Sequence, residues 1–267
     1  MGERYTHGHH ESVLRSHKWR TAENSAGYLL DSLLPGQDLL DVGCGPGTLT
    51  IGLARRVAPG MVFGIDAASE AIAEAEELSR SEATVDNVSF AQGDVYALQF
   101  AVDSFDVVHA HQVLQHLKQP IAALAEMRRV LRPGGTLAVR DADYGGFVWS
   151  PADPQLERWN QLYHELTARN GVEANAGRHL LGWVQAAGFS DARASSSTWT
   201  FADPESRSWW GGLWADRVLL SEYAKQALAY ELTDAAELAA LAAAWRRWAT
   251  EPDGFFAVLN VEVLASK

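Results

Sequence analysis

Between Pro35 and Asp141 short apolar runs alternate with stretches of helical spacing, and this alternation constrains the fold more than any other feature. Leu39-Leu40-Asp41-Val42 reads as a short buried strand. Glycines follow, then a helix from about Thr48 that stops at Pro59-Gly60. Met61 to Ile65 is the next strand, and Ser69 caps a helix with Ile72, Ala75 and Leu78 on one face. Val88 to Phe90 and Phe105 to Val108 are the third and fourth strands. Leu117, Ile121, Leu124 and Leu131 stand at helical spacing, Arg132-Pro133-Gly134-Gly135 ends that helix, and Thr136 to Val139 is a fifth strand. Strands alternating with helices predict an α/β fold: a doubly wound, mostly parallel sheet with helices on both faces.

Outside this scaffold the pattern is mainly helical. His10 to Leu34 reads as one or two helices. Asp153-Pro154 and Asp203-Pro204 each place a capping acid before a proline at the first helical position. Leu156, Trp159, Tyr163 and Leu166 form one stripe; Leu238, Leu241, Trp245 and Trp248 form another. Ala192 to Phe201 and Phe255 to Leu264 read as strands that extend the sheet, one of them antiparallel. Tryptophan is absent from Pro35 to Asp141, whereas nine of the ten tryptophans lie beyond it, so the C-terminal part is built from different material. The expected division is a helical cap over residues 1–34, a cofactor-binding core over 35–145, and a completing segment over 146–267 with a lid at 203–250.

Charge and cysteine content exclude several classes. Lysine and arginine number 22 against 34 acids, a formal net charge of −12, which disfavours wrapping of nucleic acid. The lone Cys44 forms no internal disulfide and supports no multi-cysteine metal site. No apolar run reaches the roughly 20 residues that span a bilayer, and the charged N-terminal segment is wrong for a secretory signal. A cytoplasmic, soluble protein is expected, its state as monomer or homo-oligomer left open.

The chemistry concentrates in Asp41-Val42-Gly43-Cys44-Gly45-Pro46-Gly47-Thr48. Glycines between a strand and a helix let a ligand approach the backbone, at the sheet edge where open parallel sheets bind ligands. A dinucleotide fingerprint needs a third glycine where Thr48 stands, and no Gly-Lys-Ser/Thr follows for a phosphate loop. Asp66, at the end of the second strand, is placed to accept both hydroxyls of a ribose. After the third strand, Asp94 could accept from an exocyclic amine while the Val95 amide donates to a ring nitrogen.

Together these segments resemble the class I S-adenosylmethionine-dependent methyltransferases, most closely the branch similar to ubiquinone and menaquinone methyltransferases. The resemblance extends to the fourth-strand run Phe105 to Leu117 and to Val130-Leu131-Arg132-Pro133-Gly134-Gly135. It implies a seven-stranded Rossmann-like sheet in the order 3-2-1-4-5-7-6, with S-adenosylmethionine as cofactor. It assigns cofactor contacts to Asp41, Gly43, Cys44 and Gly45, to Asp66 and Ala67, to Asp94 and Val95, and to His109, Ala110 and the N-terminal Tyr5. Cys44 reads as a small packing residue and not a nucleophile. The implied activity is methyl transfer to a small apolar or aromatic acceptor, without a metal and without nucleic acid as partner. An NAD(P)-dependent oxidoreductase and a non-catalytic cofactor-binding regulator are the alternatives. Trp209, Trp210 and Trp214 are the candidates for lining the acceptor pocket. His111 follows the fourth strand and is the candidate base, with Asp143 and Tyr144 competing from beyond the fifth. His7, His9 and His10 lie too near the terminus to be read as a metal cluster.

Overall fold

The computed structural model describes residues 6, 8, 10–82 and 85–267. Three short helices, α1 (Glu11–Lys18), α2 (Ala22–Ser25) and α3 (Gly27–Leu30), precede the scaffold. The scaffold comprises β1 (Leu39–Val42), α4 (Thr48–Val57), β2 (Val62–Asp66), α5 (Ser69–Ser81), β3 (Val88–Gln92), β4 (Phe105–His111), α6 (Pro120–Val130) and β5 (Leu131–Ala142). Then come β6 (Val148–Ser150), α7 (Pro154–Asn170), α8 (Ala176–Ala186), β7 (Ser190–Phe201), α9 (Pro204–Leu220), α10 (Glu222–Ala229), α11 (Ala235–Thr250) and β8 (Phe255–Ser266).

The sheet runs β3-β2-β1-β4-β5-β8, with β7 on the outer edge of β8. β1 pairs in parallel with both β2 and β4, so the strand order reverses there and a crevice opens beyond its carboxyl end. β8 is antiparallel to both β5 and β7. The order matches the expected one except that β6 is additional. Phe256 and Ala257 pair with β6 on one side and β7 on the other, so β6 prolongs the β5 edge.

Consecutive apolar residues of each central strand feed opposite faces. Leu40, Val108 and Leu137 pack toward Leu124 and Met127 of α6 and Leu180 of α8. Leu39, Val107 and Ala138 pack toward Leu29, Leu53 and Ala54 on the other face. Burial on both faces explains why these strands read as continuous apolar runs. A third core lies under α7, α9, α10 and α11, where Trp159, Trp214, Trp245 and Phe256 are all at most 1% exposed. Trp159 meets Trp214 and Trp245 edge to face at 4.6 and 4.9 Å. Asp153 and Asp203 cap α7 and α9 through bonds from Gln155 N and Ser206 N, as their position before proline predicts.

Three local expectations are corrected. The N-terminal segment forms three helices rather than one or two. Ser69 is the first residue of α5 and not its cap; Asp66 Oδ1 takes the Ala68 amide instead. Pro120 starts α6 at its first position, so Leu117 precedes the helix, Leu131 begins β5 and Ile121 is 41% exposed. The buried face of α6 is Ala123, Leu124, Met127 and Val130.

The aromatic core predicts the stability response. Trp159→Ala empties a fully buried site and is expected to cost about 3–5 kcal/mol, measured by denaturant unfolding. Ile121→Ala, on an exposed position of α6, is expected to change stability by less than about 0.5 kcal/mol.

Candidate active site

The crevice at the carboxyl ends of β1, β2 and β4 holds a cavity of about 380 Å³. The glycine loop forms its floor. Gly43 has φ +71° and donates to the Ile65 carbonyl; a Cβ there would lie 2.3 Å from Val113 Cγ2. Gly45 has φ +54°, and a Cβ built on it would meet only His17 Nδ1, at 3.8 Å. Left-handed backbone and close approach require glycine at the first position; at the second, glycine leaves the backbone bare toward the cavity.

Asp41 lines the cavity, but both its oxygens are engaged by protein. His109 Nδ1 is hydrogen bonded to Oδ1 at 2.7 Å, and the Thr50 hydroxyl donates to Oδ2 at 2.6 Å. The residue therefore positions the loop, tying β1 to β4 and α4. Asp66 is arranged differently. Gly45 N donates to its Oδ2 at 3.0 Å and Ala68 N to its Oδ1 at 2.9 Å. Two backbone donors orient the carboxylate, and each oxygen keeps lone-pair capacity for a ligand hydroxyl. Asp94 accepts from Tyr96 N at 2.9 Å and shares the wall with Ala67 and Val95. Cys44 lies on the same wall, its thiol pushed well above the usual range by burial and by the charges of Asp41 and Asp66. It is thus a neutral packing group.

His109 and Ala110 are fully buried and absent from the cavity wall, which corrects their assignment as cofactor contacts. Alternation along β4 sends Ala110 into the core under α6 and α8 and His109, on the opposite face, to Asp41. Tyr5, His7 and His9 lie outside the described residues. His10 caps α1, its Nδ1 accepting from Ser12 N at 3.2 Å.

His111 lies on the cavity wall at the end of β4, 6% exposed, with no hydrogen-bond partner for either ring nitrogen among the described residues. Burial pushes its pKa well below the ordinary imidazole value, helped by the positive charges of Arg20 and Arg140. Its competitors are elsewhere. Asp143 receives Arg178 Nη2 at 2.6 Å, Arg178 Nε at 2.8 Å and Arg178 N at 3.0 Å, so it anchors the start of α8 and reaches neither cavity. Tyr144 stacks on Tyr163 at 3.8 Å and is 5% exposed, a core residue that borders only a second, smaller chamber. Both assignments as catalytic groups at the larger cavity are corrected: the turn after β5 carries them toward α7 and α8.

The second chamber, of about 30 Å³, shares His17, Arg20, Gln112 and His116 with the larger cavity. Trp210 and Trp214 border it while packing in the third core under α7, α9, α10 and α11. Trp209 lies on neither wall; it packs against Trp19 and Phe201 at 5.4 and 5.9 Å, which corrects its assignment to the acceptor pocket.

Several wall residues escaped the sequence reading. Gln112 has φ +53°, strained for a side chain of its size. It accepts from Arg20 Nη2 at 2.7 Å and donates to Asn260 Oδ1 at 3.1 Å, joining the N-terminal segment to β8 across the junction of the two cavities. Arg217 of α9 and Trp199 of β7 line the chamber. No local motif marks these residues; a left-handed glutamine is visible only in the backbone.

The comparisons agree with this geometry. A family described as methyltransferase domain matches residues 33–193. An uncharacterized methyltransferase of Schizosaccharomyces pombe is 34% identical, over 98% of this chain and 96% of its own length. A 2-phytyl-1,4-naphtoquinone methyltransferase of Nostoc punctiforme is 34% identical over 48% of this chain and 54% of its own. In fold, the YcgJ protein from Bacillus superposes with a TM-score of 0.60 at 20% identity, covering 92% of this chain and 98% of that one. The glycine loop, the acid at the end of β2 and the full-length match to a methyltransferase lead to one family: the chain is an enzyme of the class I S-adenosylmethionine-dependent methyltransferases.

Proposed function

We propose that this enzyme methylates a small organic acceptor with a planar, partly apolar body, and that His111 accepts the acceptor's proton. The observation that carries this reading is His111 itself: a buried histidine at the cavity wall whose ring nitrogens have no partner among the described residues. Buried polar groups are almost always paired, so an unpaired one facing a cavity points to a ligand.

The larger cavity fits the cofactor. Its volume of about 380 Å³ falls within the roughly 300–1,000 Å³ typical of small-molecule sites. The carboxylate of Asp66, held by two amides, suits a ribose diol, and Asp94 with the Val95 amide suits an adenine edge. Arg20, also on the wall, suits the carboxylate of the amino-acid end. Bound S-adenosylmethionine supplies an electrophilic methyl group on a sulfonium.

The chain's own residues do the rest. Leu14, His17 and Arg20 cover the cavity from the N-terminal side and exclude water. Trp199 packs 5.6 Å from the His111 ring and offers an aromatic wall beside it. His111 is held neutral, so a ring nitrogen is available as proton acceptor. Its depressed pKa makes it a weak base, suited to an acidic proton on the acceptor. The naphthoquinone named for the Nostoc relative has such a planar body. A net charge of −12 and acids on the cavity wall weigh against nucleic acid as substrate. Among the described residues no helix is long and apolar enough to cross a membrane, and with a lone cysteine we place the enzyme in the cytoplasm.

Asp66→Ala is expected to weaken S-adenosylhomocysteine binding at least tenfold by calorimetry, since it removes charge-assisted bonds worth about 1.5–3 kcal/mol each. Unchanged affinity would remove Asp66 from the ribose site. His111→Ala is expected to lower turnover across a panel of acidic acceptors by about 10²–10⁴ at unchanged cofactor affinity. With the folded-state pKa depressed, His111 stays neutral as pH falls through the ordinary imidazole range. The acid limb of the wild-type rate is therefore expected well below pH 6.5; a limb at or above 6.5 would count against His111.

A further inference from the structure

The two cavities meet at Gln112 and His116, yet their walls differ in charge. The larger cavity carries three carboxylates, Asp41, Asp66 and Asp94. The described wall of the small chamber carries Arg217 besides the shared Arg20, and no carboxylate. Arg217 is 4% exposed; it donates to Ser16 Oγ at 2.9 Å and to the Ser12 carbonyl at 3.1 Å, and its guanidinium carbon lies 4.6 Å from the Trp214 ring centre. These contacts hold the cation at the chamber. Trp210, 5% exposed, adds an indole N–H with no acceptor among the described residues. The positive field reaches His116 on the same wall. Burial first, then the charges of Arg20 and Arg217, push its pKa down to about 3.

Size separates the two ends of an acceptor. The chamber's volume of about 30 Å³ is less than a tenth of the larger cavity's 380 Å³. That accommodates a group of a few atoms, not a ring. An aromatic body therefore stays outside it, beside His111 and Gln112 on the larger cavity's wall, while a compact anionic end enters.

We propose that the chamber binds a carboxylate of the acceptor, with Arg217 and Trp210 as its hydrogen-bond donors. The proposal rests on the reading of the larger cavity as the cofactor site. A carboxylate there accepts charge-assisted bonds in surroundings that exclude water, where such bonds are strongest. The planar body then lies across the junction lined by Gln112, and the acidic proton of the acceptor faces His111. The acceptor class is a small planar organic acid.

The test uses the full chain with S-adenosylhomocysteine, titrated with benzoate and with its neutral isostere benzamide and followed by tryptophan fluorescence. Benzoate is expected to bind at least tenfold more tightly. Arg217→Gln is expected to abolish the preference, and Trp210→Phe, which keeps an aromatic ring but removes the indole N–H, to reduce it severalfold, both with unchanged calorimetric affinity for S-adenosylhomocysteine. Should Arg217→Gln fail to fold, Trp210→Phe decides. Equal binding of the two probes, no binding of either at millimolar concentration, or a full preference retained in the folded variants overturns the proposal. Failure of S-adenosylhomocysteine to bind the wild type overturns instead the reading of the larger cavity, since the benzoate preference is read separately.

Discussion

The site depends on one buried carboxyl. Asp41 is 2% exposed, at the carboxyl end of the strand where the sheet order reverses. A polar group so buried is costly unless bonded, and here His109 from β4 and Thr50 from α4 each take one oxygen. Three elements are thereby locked at one point. The glycine loop must leave β1 and enter α4 within this constraint, which brings Gly45 N to Asp66 on β2. The floor of the cavity and the acid at its rim are thus a single hydrogen-bonded unit.

A second polar layer lies farther along the sheet. Arg140 of β5, 1% exposed, pairs with Glu262 of β8 at 3.2 Å and lies 4.7 Å from the Trp199 ring centre. Ser195 and Ser197 of β7 complete the shell around Glu262 at 2.8 and 2.5 Å. The buried cation contributes to keeping His111 neutral. Asp141, next in β5, accepts from Gln115 N, and burial pushes its carboxyl up to about 7. Desolvation acts in opposite directions on the two groups, raising the acid and lowering the imidazole, so each favours its uncharged form.

The tryptophans divide between packing and wall. Trp159, Trp245 and Trp248 on their helical stripes are buried, as expected of helices closing on a sheet. Trp183 is half-buried and stacks with His179 at 5.6 Å. Trp199, on a strand and without a helical stripe to mark it, reaches the chamber. Indole rings give the cap much apolar area per residue, and their close contacts leave little void beside the larger cavity. Charge, rather than an open aromatic slot, therefore distinguishes the chamber.

The sequence by itself determined the scaffold, its strand order by family resemblance, the glycine loop and Asp66. Those features are local: a strand end, a turn and a helix start leave periodicity and glycine in a short window, and their place at the sheet edge follows from topology. Tertiary structure decided the rest. Asp143 and Tyr144 follow β5 as the reading required, yet one is taken by Arg178 and the other stacks on Tyr163. Position after a strand does not state which way the next turn points. His109 belongs to the fourth-strand motif, which marks it as a contact, but the alternation of β4 directs it to Asp41. The chamber gathers Arg20, Gln112, Trp199 and Arg217 from segments far apart in the chain. Such a cluster has no local signature, because the charge and shape it creates exist only when the cap closes on the sheet.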